Sequence, residues 1–126
     1  MGQGYLIDSN AIIDFFNYAL REAGIDLLLS VDPCISIITQ IEIFSKHDLE
    51  EREIGKLLQF TDNATIYLVD KTVALQTVKI RLKNKIKLPD AIIAATAICY
   101  NLTLVTRNIA DFNNIEGLST INPHTI

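Results

Sequence analysis

Several features that mark other protein classes are missing from this sequence of 126 residues. It has two cysteines, Cys34 and Cys99, and no Cys-x-x-Cys or Cys/His spacing that would indicate a zinc site. Its longest apolar run, Ala91 to Tyr100, is too short to span a bilayer. G-x-S-x-G, G-x-G-x-x-G and P-loop patterns are absent, which disfavours serine-hydrolase and nucleotide-cofactor chemistry. The N-terminus lacks a basic segment followed by an apolar run, so we predict no signal peptide.

The composition favours one folded domain over residues 1–126. Apolar residues make up 49% of the chain, charged residues make up 21%, and the mean hydropathy is +0.27, which excludes a disordered chain. We expect a soluble, cytoplasmic protein with no membrane contact, in which both cysteines are buried free thiols. The two histidines, His47 and His124, stand in no metal-ligand motif and are interpreted as surface or hydrogen-bonded residues.

Short apolar runs alternate with amphipathic segments, which predicts an α/β fold with a central parallel sheet of four to five strands flanked by helices. Strands covered on both faces are apolar throughout, as these runs are. The predicted strands are 5–7, 34–38, 65–69, 103–106 and a short one at 118–121. The first helix is expected to end at Gly24, and further helices are predicted from Thr39, at 48–60, 72–83 and 89–100. Helix 72–83 aligns Leu75, Val78 and Leu82 on one apolar face.

Four acidic residues lie at or near the ends of these elements, where parallel sheets place their ligands. Asp8 follows the first strand, Glu42 comes shortly after the second, Asp90 opens a helix behind Pro89, and Asp111 follows the fourth strand. Each has a local explanation as well. Asp8 suits an N-cap, Glu42 a capping box with Thr39, Asp90 a first helical turn, and Asp111 an Asx-turn.

Taken together, the acids point to a metal-dependent site. Glu42 lies between two isoleucines, Asp90 precedes an apolar run, and no lysine or arginine adjoins Asp8 or Glu42. Two carboxylates 4 Å apart repel by roughly 4 kcal/mol at an effective dielectric of about 20, so such a cluster holds protons or cations. Oxygen ligands without His or Cys select Mg²⁺ or Mn²⁺. Hard cations on carboxylates suit phosphodiester hydrolysis by a metal-activated water.

Three segments carry a more specific combination of residues. The first is Leu6-Ile7-Asp8-Ser9-Asn10, the second runs from Lys87 through Pro89-Asp90-Ala91 to Ala97, and the third is Leu104-Val105-Thr106-Arg107-Asn108, followed by Asp111-Phe112 and Ile115-x-Gly117-Leu118. Together they resemble a PIN-domain ribonuclease, and specifically a VapC-like toxin of a type II toxin–antitoxin pair. The resemblance extends from Leu6 to about Asn122.

The resemblance implies a single Rossmann-like PIN domain, a Mg²⁺- or Mn²⁺-dependent endoribonuclease, a homodimer, and an antitoxin whose C-terminal segment blocks the active site. It implies that Asp8, Glu42 and Asp90 supply the core catalytic acids, to which we add Asp111 as a fourth. The expected metal ligands among them are Asp8, Asp90 and Asp111. Asn108 stands where many relatives have an acid, so we expect a second metal to bind weakly.

Four polar residues in the same segments are expected to support the acids: Ser9, Asn10, Thr106 and Asn108. Ser9 and Thr106 are predicted to hydrogen-bond the carboxylates and orient them. The alternative is that they are ordinary polar residues at strand ends.

RNA binding by a chain of net charge −4 needs a local basic patch or bound cations. Basic residues crowd into positions 79–87, and we predict that Lys83, Lys85 and Lys87 contact substrate phosphates together with Arg107. Arg107 is the strongest candidate because it adjoins the predicted site. The alternative for the lysines is a solvated helix end whose cations complement the helix dipole.

Three other functions remain open from the sequence. A PIN nuclease for housekeeping RNA processing would use the same acids, although a short chain without an added RNA-binding domain favours the toxin. A receiver-like signalling domain would use Asp70 after the third strand, but the paired acids and the later lysine that it needs are missing. A degenerate PIN fold that only binds a partner is kept open by Asn108.

Overall fold

Five short strands form one parallel sheet in the computed structural model, which describes residues 4–126. The strands are β1 (Gly4–Ile7), β2 (Pro33–Ser36), β3 (Thr65–Tyr67), β4 (Leu102–Val105) and β5 (Thr120–Ile121), in the order β3-β2-β1-β4-β5. The predicted α/β fold with a central parallel sheet is therefore confirmed. Residues 1–3, which belong to the predicted domain and to the segment predicted to carry no signal peptide, lie outside the described residues.

Six α-helices and one short 3-10 helix connect the strands within residues 4–126. The α-helices are α1 (Ser9–Phe16), α2 (Glu22–Ser30), α3 (Ile37–Phe44), α4 (Glu51–Asp62), α5 (Lys71–Lys83) and α6 (Leu88–Cys99), and the 3-10 helix is Ile109–Phe112. In this part of the chain, no helix has the length and apolarity needed to cross a membrane.

The sheet separates two buried apolar clusters. Leu6 of β1 and Leu104 of β4 pack on one side with Ile93 of α6, whereas the next residue of each strand, Ile7 and Val105, packs on the other. Successive side chains of a strand point to opposite faces, and both faces are covered here. Burial on both sides explains why the strands are apolar at every position.

The strand order reverses between β1 and β4, and open parallel sheets bind their ligands at the carboxyl ends of such strands. The chain runs outward from β1 through β2 and β3, and then returns to build β4 and β5 on the other side. The Asp8 amide donates a hydrogen bond to the Val105 carbonyl oxygen at 2.9 Å. Asp8 and Thr106, the residues directly after the two strands, therefore lie at the position where open parallel sheets bind their ligands.

The first helical region is divided differently from the prediction. Helix α1 ends at Phe16, and Tyr18, with a φ of 57°, turns the chain before α2. The prediction that Gly24 ends the helix was wrong, because Gly24 lies inside α2. A Cβ atom at Gly24 would come within 2.2 Å of the Pro123 carbonyl oxygen. Glycine is therefore required where α2 contacts the C-terminal segment.

The boundary between β2 and α3 also differs. The strand predicted at 34–38 ends at Ser36, whose Oγ accepts a hydrogen bond from the Ile38 amide at 3.1 Å and caps α3. The predicted capping box between Thr39 and Glu42 is wrong, because both residues lie inside α3. The Glu42 side chain therefore has no part in starting the helix.

Helix α5 turns another face to the core than its leucine pattern suggests. Its buried residues are Val73, Thr77 and Ile80. The aligned residues Leu75, Val78 and Leu82, which we call the α5 apolar stripe, are exposed. The alignment was predicted correctly, but its side chains face solvent.

Cys34 and Cys99 are free thiols, as predicted, but each is only half-buried. Burial raises the pKa of both thiols, so they stay protonated at neutral pH and are poor nucleophiles.

Candidate active site

Asp8 is the buried centre of the site, with a relative exposure of 4%. It is the N-cap of α1, and its Oδ1 accepts a hydrogen bond from the Ser9 amide at 2.8 Å. Its Oδ2 accepts a hydrogen bond from the Thr106 hydroxyl at 2.8 Å. Burial raises the pKa of Asp8, and the hydrogen bonds from Thr106 and Ser9 and the charge of Arg107 oppose that effect. Asp8 thus serves as an N-cap and also as a link between the ends of β1 and β4.

Glu42 lies on α3, half-buried among apolar residues. Burial raises the pKa of Glu42, and the negative charges of Asp8 and Asp90 raise it further, while hydrogen bonding by the Ser9 hydroxyl lowers it. Its Oε1 is buried and has no hydrogen-bond partner. The fold has therefore brought Glu42 into electrostatic contact with two other predicted acids.

Asp90 and Asp111 complete, with Asp8 and Glu42, a group of four acids that we call the acidic edge. Asp90 lies in the first turn of α6 and is half-buried, as the helix-dipole argument allows. Burial raises the pKa of Asp90, and the charges of Asp8 and Asp111 raise it further, while Lys87 lowers it. Asp111 is exposed on the 3-10 helix. All four predicted acids therefore lie at one end of the sheet, with Asp8 and Glu42 inside and Asp111 at the rim.

The supporting polar residues have unequal roles in this structure. Thr106 is fully buried. Its hydroxyl donates a hydrogen bond to Asp8 and accepts one from the backbone amide of Asn108 at 3.0 Å. Ser9 contacts Asp8 through its own amide. The Asn10 amide oxygen instead lies 3.5 Å from Nη2 of Arg107, at the limit of hydrogen bonding. Ser9 and Thr106 thus orient the carboxylates, and Asn10 faces the arginine.

The donor set suits a hard cation, although within residues 4–126 no three Asp, Glu, His or Cys side chains are grouped closely enough to hold a metal as they stand. Oε1 of Glu42 and the hydroxyl of Thr39, one turn earlier on α3, are both buried without a hydrogen-bond partner. Buried polar atoms left unpaired cost free energy, which a bound cation or its water would remove. The available ligands are all oxygens, which fit Mg²⁺ or Mn²⁺ rather than zinc or copper.

The predicted RNA-contacting residues lie in different surroundings. Lys83 and Lys85 are exposed, and Nζ of Lys83 is 3.9 Å from the Glu116 carboxylate. Lys87 precedes α6, and its charge lowers the pKa of Asp90. Arg107 lowers the pKa of Asp8. Of the predicted RNA-contacting residues, Lys87 and Arg107 are therefore the ones that lie beside the acids.

Asp14, a buried acid on α1, was not among the predicted site residues. Its carboxylate contacts the Arg107 guanidinium at 2.9 and 3.1 Å and Nε2 of His124 at 2.7 Å. The signal was present, because Asp14 lies between apolar neighbours just as Glu42 does. Its partners were not predictable, since they come from the far end of the chain.

Asp70, the acid that a receiver-like domain would need, lies apart from this cluster. It caps α5 by accepting a hydrogen bond from the Val73 amide at 2.8 Å, and it also bonds the Tyr100 hydroxyl. These contacts lower the pKa of Asp70. It follows β3, at the edge of the sheet, and has a structural role as a cap.

Residues 5–118 match the sequence model of the family described as PIN domain. This match covers most of the chain. The comparison with curated proteins gave no match.

The solved structures similar to this chain include several bacterial toxin–antitoxin complexes. A chain from a toxin–antitoxin complex of Klebsiella pneumoniae is 32% identical, with a TM-score of 0.79 over 98% of this chain and 100% of that one. A chain of DNA-bound VapBC from Salmonella typhimurium is 24% identical, with a TM-score of 0.80 over 96% of this chain and 98% of that one. A chain of VapBC2 from Rickettsia felis, bound to a promoter DNA fragment, is 25% identical, with a TM-score of 0.77 over 94% and 97%. The similarity thus extends over nearly the whole length of each chain.

Proposed function

Because the chain belongs to the PIN-domain family, as the resemblance in its sequence predicted, we propose that it is a metal-dependent endoribonuclease acting as the toxin of a toxin–antitoxin pair. The observation that carries the nuclease proposal is the group of acids at the switch point of the sheet. Besides burial, the charges of Asp8 and Asp90 raise the pKa of Glu42, and the charges of Asp8 and Asp111 raise the pKa of Asp90. Similarity to chains of solved toxin–antitoxin complexes supports the toxin role.

In this proposal, Asp8, Asp90 and Asp111 hold Mg²⁺ or Mn²⁺, with Glu42 beside them. The bound ion would lower the pKa of a water molecule and so supply the nucleophile for phosphodiester hydrolysis. Glu42, whose Oε1 is buried without a hydrogen-bond partner, would accept a proton from that water. Ser9 and Thr106 hold both oxygens of Asp8 and keep its carboxylate oriented.

The RNA backbone must approach this negative edge, and basic residues beside it would attract the phosphates. Arg107 and Lys87 border the acids, and Lys83 and Lys85 continue the basic surface toward the end of α5. Bound cations would further reduce the repulsion between the site and RNA.

The test compares cleavage of labelled structured RNA by wild type, Asp90→Asn and the control Asp26→Asn, each with Mg²⁺, Mn²⁺ or EDTA. Asp26 is an exposed acid on α2, so its variant changes the net charge equally without touching the acidic edge. We expect metal-dependent cleavage by wild type and the control only. Single-stranded DNA of the same sequence tests the preference for RNA. No cleavage of any RNA, with no metal binding by wild type, would contradict the proposal and leave a degenerate PIN-fold binding module.

The toxin role needs a separate test, because a housekeeping nuclease would pass the first one. An adjacent small reading frame that encodes a DNA-binding protein would supply the candidate antitoxin. We expect that protein to bind the chain and stop cleavage when it is mixed with the active nuclease. Cleavage that persists in a stable complex, or the absence of such a partner, would favour RNA processing.

The partner surface that we assign to a second copy of the chain is the α5 apolar stripe. Leu75, Val78 and Leu82 align along the solvent side of α5, and Leu82 is 81% exposed. Contiguous exposed apolar surface marks an interaction site, and the resemblance implies a homodimer. We expect Leu82→Gln to shift wild-type dimers to monomers in sedimentation equilibrium. Leu29→Gln, at a leucine that is 70% exposed on α2, is the matched control. A monomeric wild type would contradict this assignment.

A further inference from the structure

Asp14 holds an ion pair beside the acidic edge without belonging to it. Its Oδ1 and Oδ2 lie 2.9 and 3.1 Å from Nη1 of Arg107, and its Oδ2 also lies 2.7 Å from Nε2 of His124. The Asp14 side chain is 8% exposed, whereas that of Arg107 is 47% exposed. The carboxylate is therefore the buried anchor, and the guanidinium extends from it toward solvent.

The position of Arg107 gives this anchor a consequence for the site. Arg107 follows Thr106, whose hydroxyl binds Asp8, so the guanidinium lies at the carboxyl ends of β1 and β4. Its Nη2 also faces the Asn10 side chain at 3.5 Å, on the first turn of α1. An arginine has more N–H donors than these contacts use, so it can bind a phosphate while it stays anchored.

We propose that Asp14 is a positioning residue that holds Arg107 ready to bind an RNA phosphate at the rim of the acidic edge. This inference rests on the proposed ribonuclease function. A free arginine loses side-chain freedom when it binds a phosphate, and an arginine already held by a buried carboxylate loses less. Nε2 of His124 contacts Oδ2 of Asp14, and this contact links the C-terminal segment to the same carboxylate.

The experiment measures KM and kcat for metal-dependent RNA cleavage by wild type, Asp14→Asn, Arg107→Ala and the double variant. We expect Asp14→Asn to raise KM about tenfold, the loss expected for one charge-assisted hydrogen bond, with little change in kcat. In the Arg107→Ala background, Asp14→Asn should have no further effect on KM, because Asp14 acts through Arg107. Labelled-RNA binding in the Asp90→Asn background measures the same coupling without turnover.

Two further variants separate positioning from lost stability. Ile80→Val weakens the core at α5, away from Arg107, and should lower the unfolding midpoint without changing KM. Arg107→Ala leaves Asp14 buried without its arginine, so Arg107→Lys provides a better-folded second variant with the charge but not the planar fork. We expect Arg107→Lys also to raise KM.

The outcomes are distinct for the two proposals. If wild type cleaves RNA but Asp14→Asn leaves KM unchanged, or lowers affinity equally with and without Arg107, the positioning role is wrong and the nuclease proposal stands. If wild type neither cleaves nor binds RNA, the nuclease proposal fails and this inference falls with it.

Discussion

Replacing Thr106 by valine removes the hydroxyl group that links the ends of β1 and β4, with little change in side-chain volume. Both Thr106 and Asp8 are buried, and the hydroxyl donates to Oδ2 of Asp8 at 2.8 Å. Oγ1 of Thr106 also accepts a hydrogen bond from the backbone amide of Asn108 at 3.0 Å. A hydrogen bond to a charged group contributes about 1.5–3 kcal/mol, and an amide left unpaired adds to the cost. We therefore expect the free energy of unfolding to fall by about 2–4 kcal/mol at pH 7.

The size of this loss should depend on pH with a definite sign. Burial holds the pKa of Asp8 above its ordinary value of 3.8, and the Thr106 hydrogen bond opposes that shift, so valine raises the pKa further. A raised pKa means that the folded protein binds more protons than the unfolded chain, so stability falls as pH rises through the titration of Asp8. The valine variant extends that fall to higher pH. The loss in free energy of unfolding relative to wild type should be largest when Asp8 is ionised. It should become smaller as the carboxyl group is protonated at lower pH.

Urea denaturation in EDTA at several pH values measures both effects. Thr77→Val is the matched control, because Thr77 is also buried but donates to a neutral carbonyl, that of Val73, at 2.8 Å. It should cost only about 0.5–1.5 kcal/mol, with little pH dependence. Equal losses in the two variants at pH 7, or a Thr106→Val deficit that does not change with pH, would refute the view that Thr106 stabilises an ionised Asp8.

Two further predictions concern the acidic edge and the C-terminal segment. In EDTA, raised pKa values of Glu42 and Asp90 should make the protein less stable as pH rises above their ordinary values of 4.5 and 3.8. Mg²⁺ at about 100 times its Kd should raise the free energy of unfolding by about 2.7 kcal/mol at pH 7. An unchanged denaturation midpoint would argue against a cation site. Gly24→Ala should destabilise by about 1–3 kcal/mol, because its Cβ would lie 2.2 Å from the Pro123 oxygen. Gly55→Ala is the control, because Gly55 is exposed on α4 and no atom lies within 4 Å of the new Cβ. It should stabilise the protein by about 0.5–1 kcal/mol. Equal effects of the two changes would show that the contact at Gly24 is relieved at no cost.

Much of the fold could be predicted because its signals are local. All five predicted strands are present, and Asp8 caps α1 as its position after an apolar strand indicated. The errors arose where a local signal had two meanings. Gly24 can end a helix or permit a close contact, and the aligned apolar residues of α5 can face the core or the solvent. Tertiary packing chose the second meaning in both cases.

The sequence by itself determined the alternation of apolar strands and helices, and hence a parallel sheet with polar residues at its carboxyl ends. Neighbouring residues carry that information, because burial on two faces demands apolar strands. Only the tertiary structure decided which distant polar groups meet. Thr106 and Asp8 are separated by 98 positions, Arg107 and Asp14 by 93, and His124 and Asp14 by 110. These contacts depend on β4 pairing beside β1 and on the C-terminal segment packing against α2, and no short stretch of sequence specifies either arrangement.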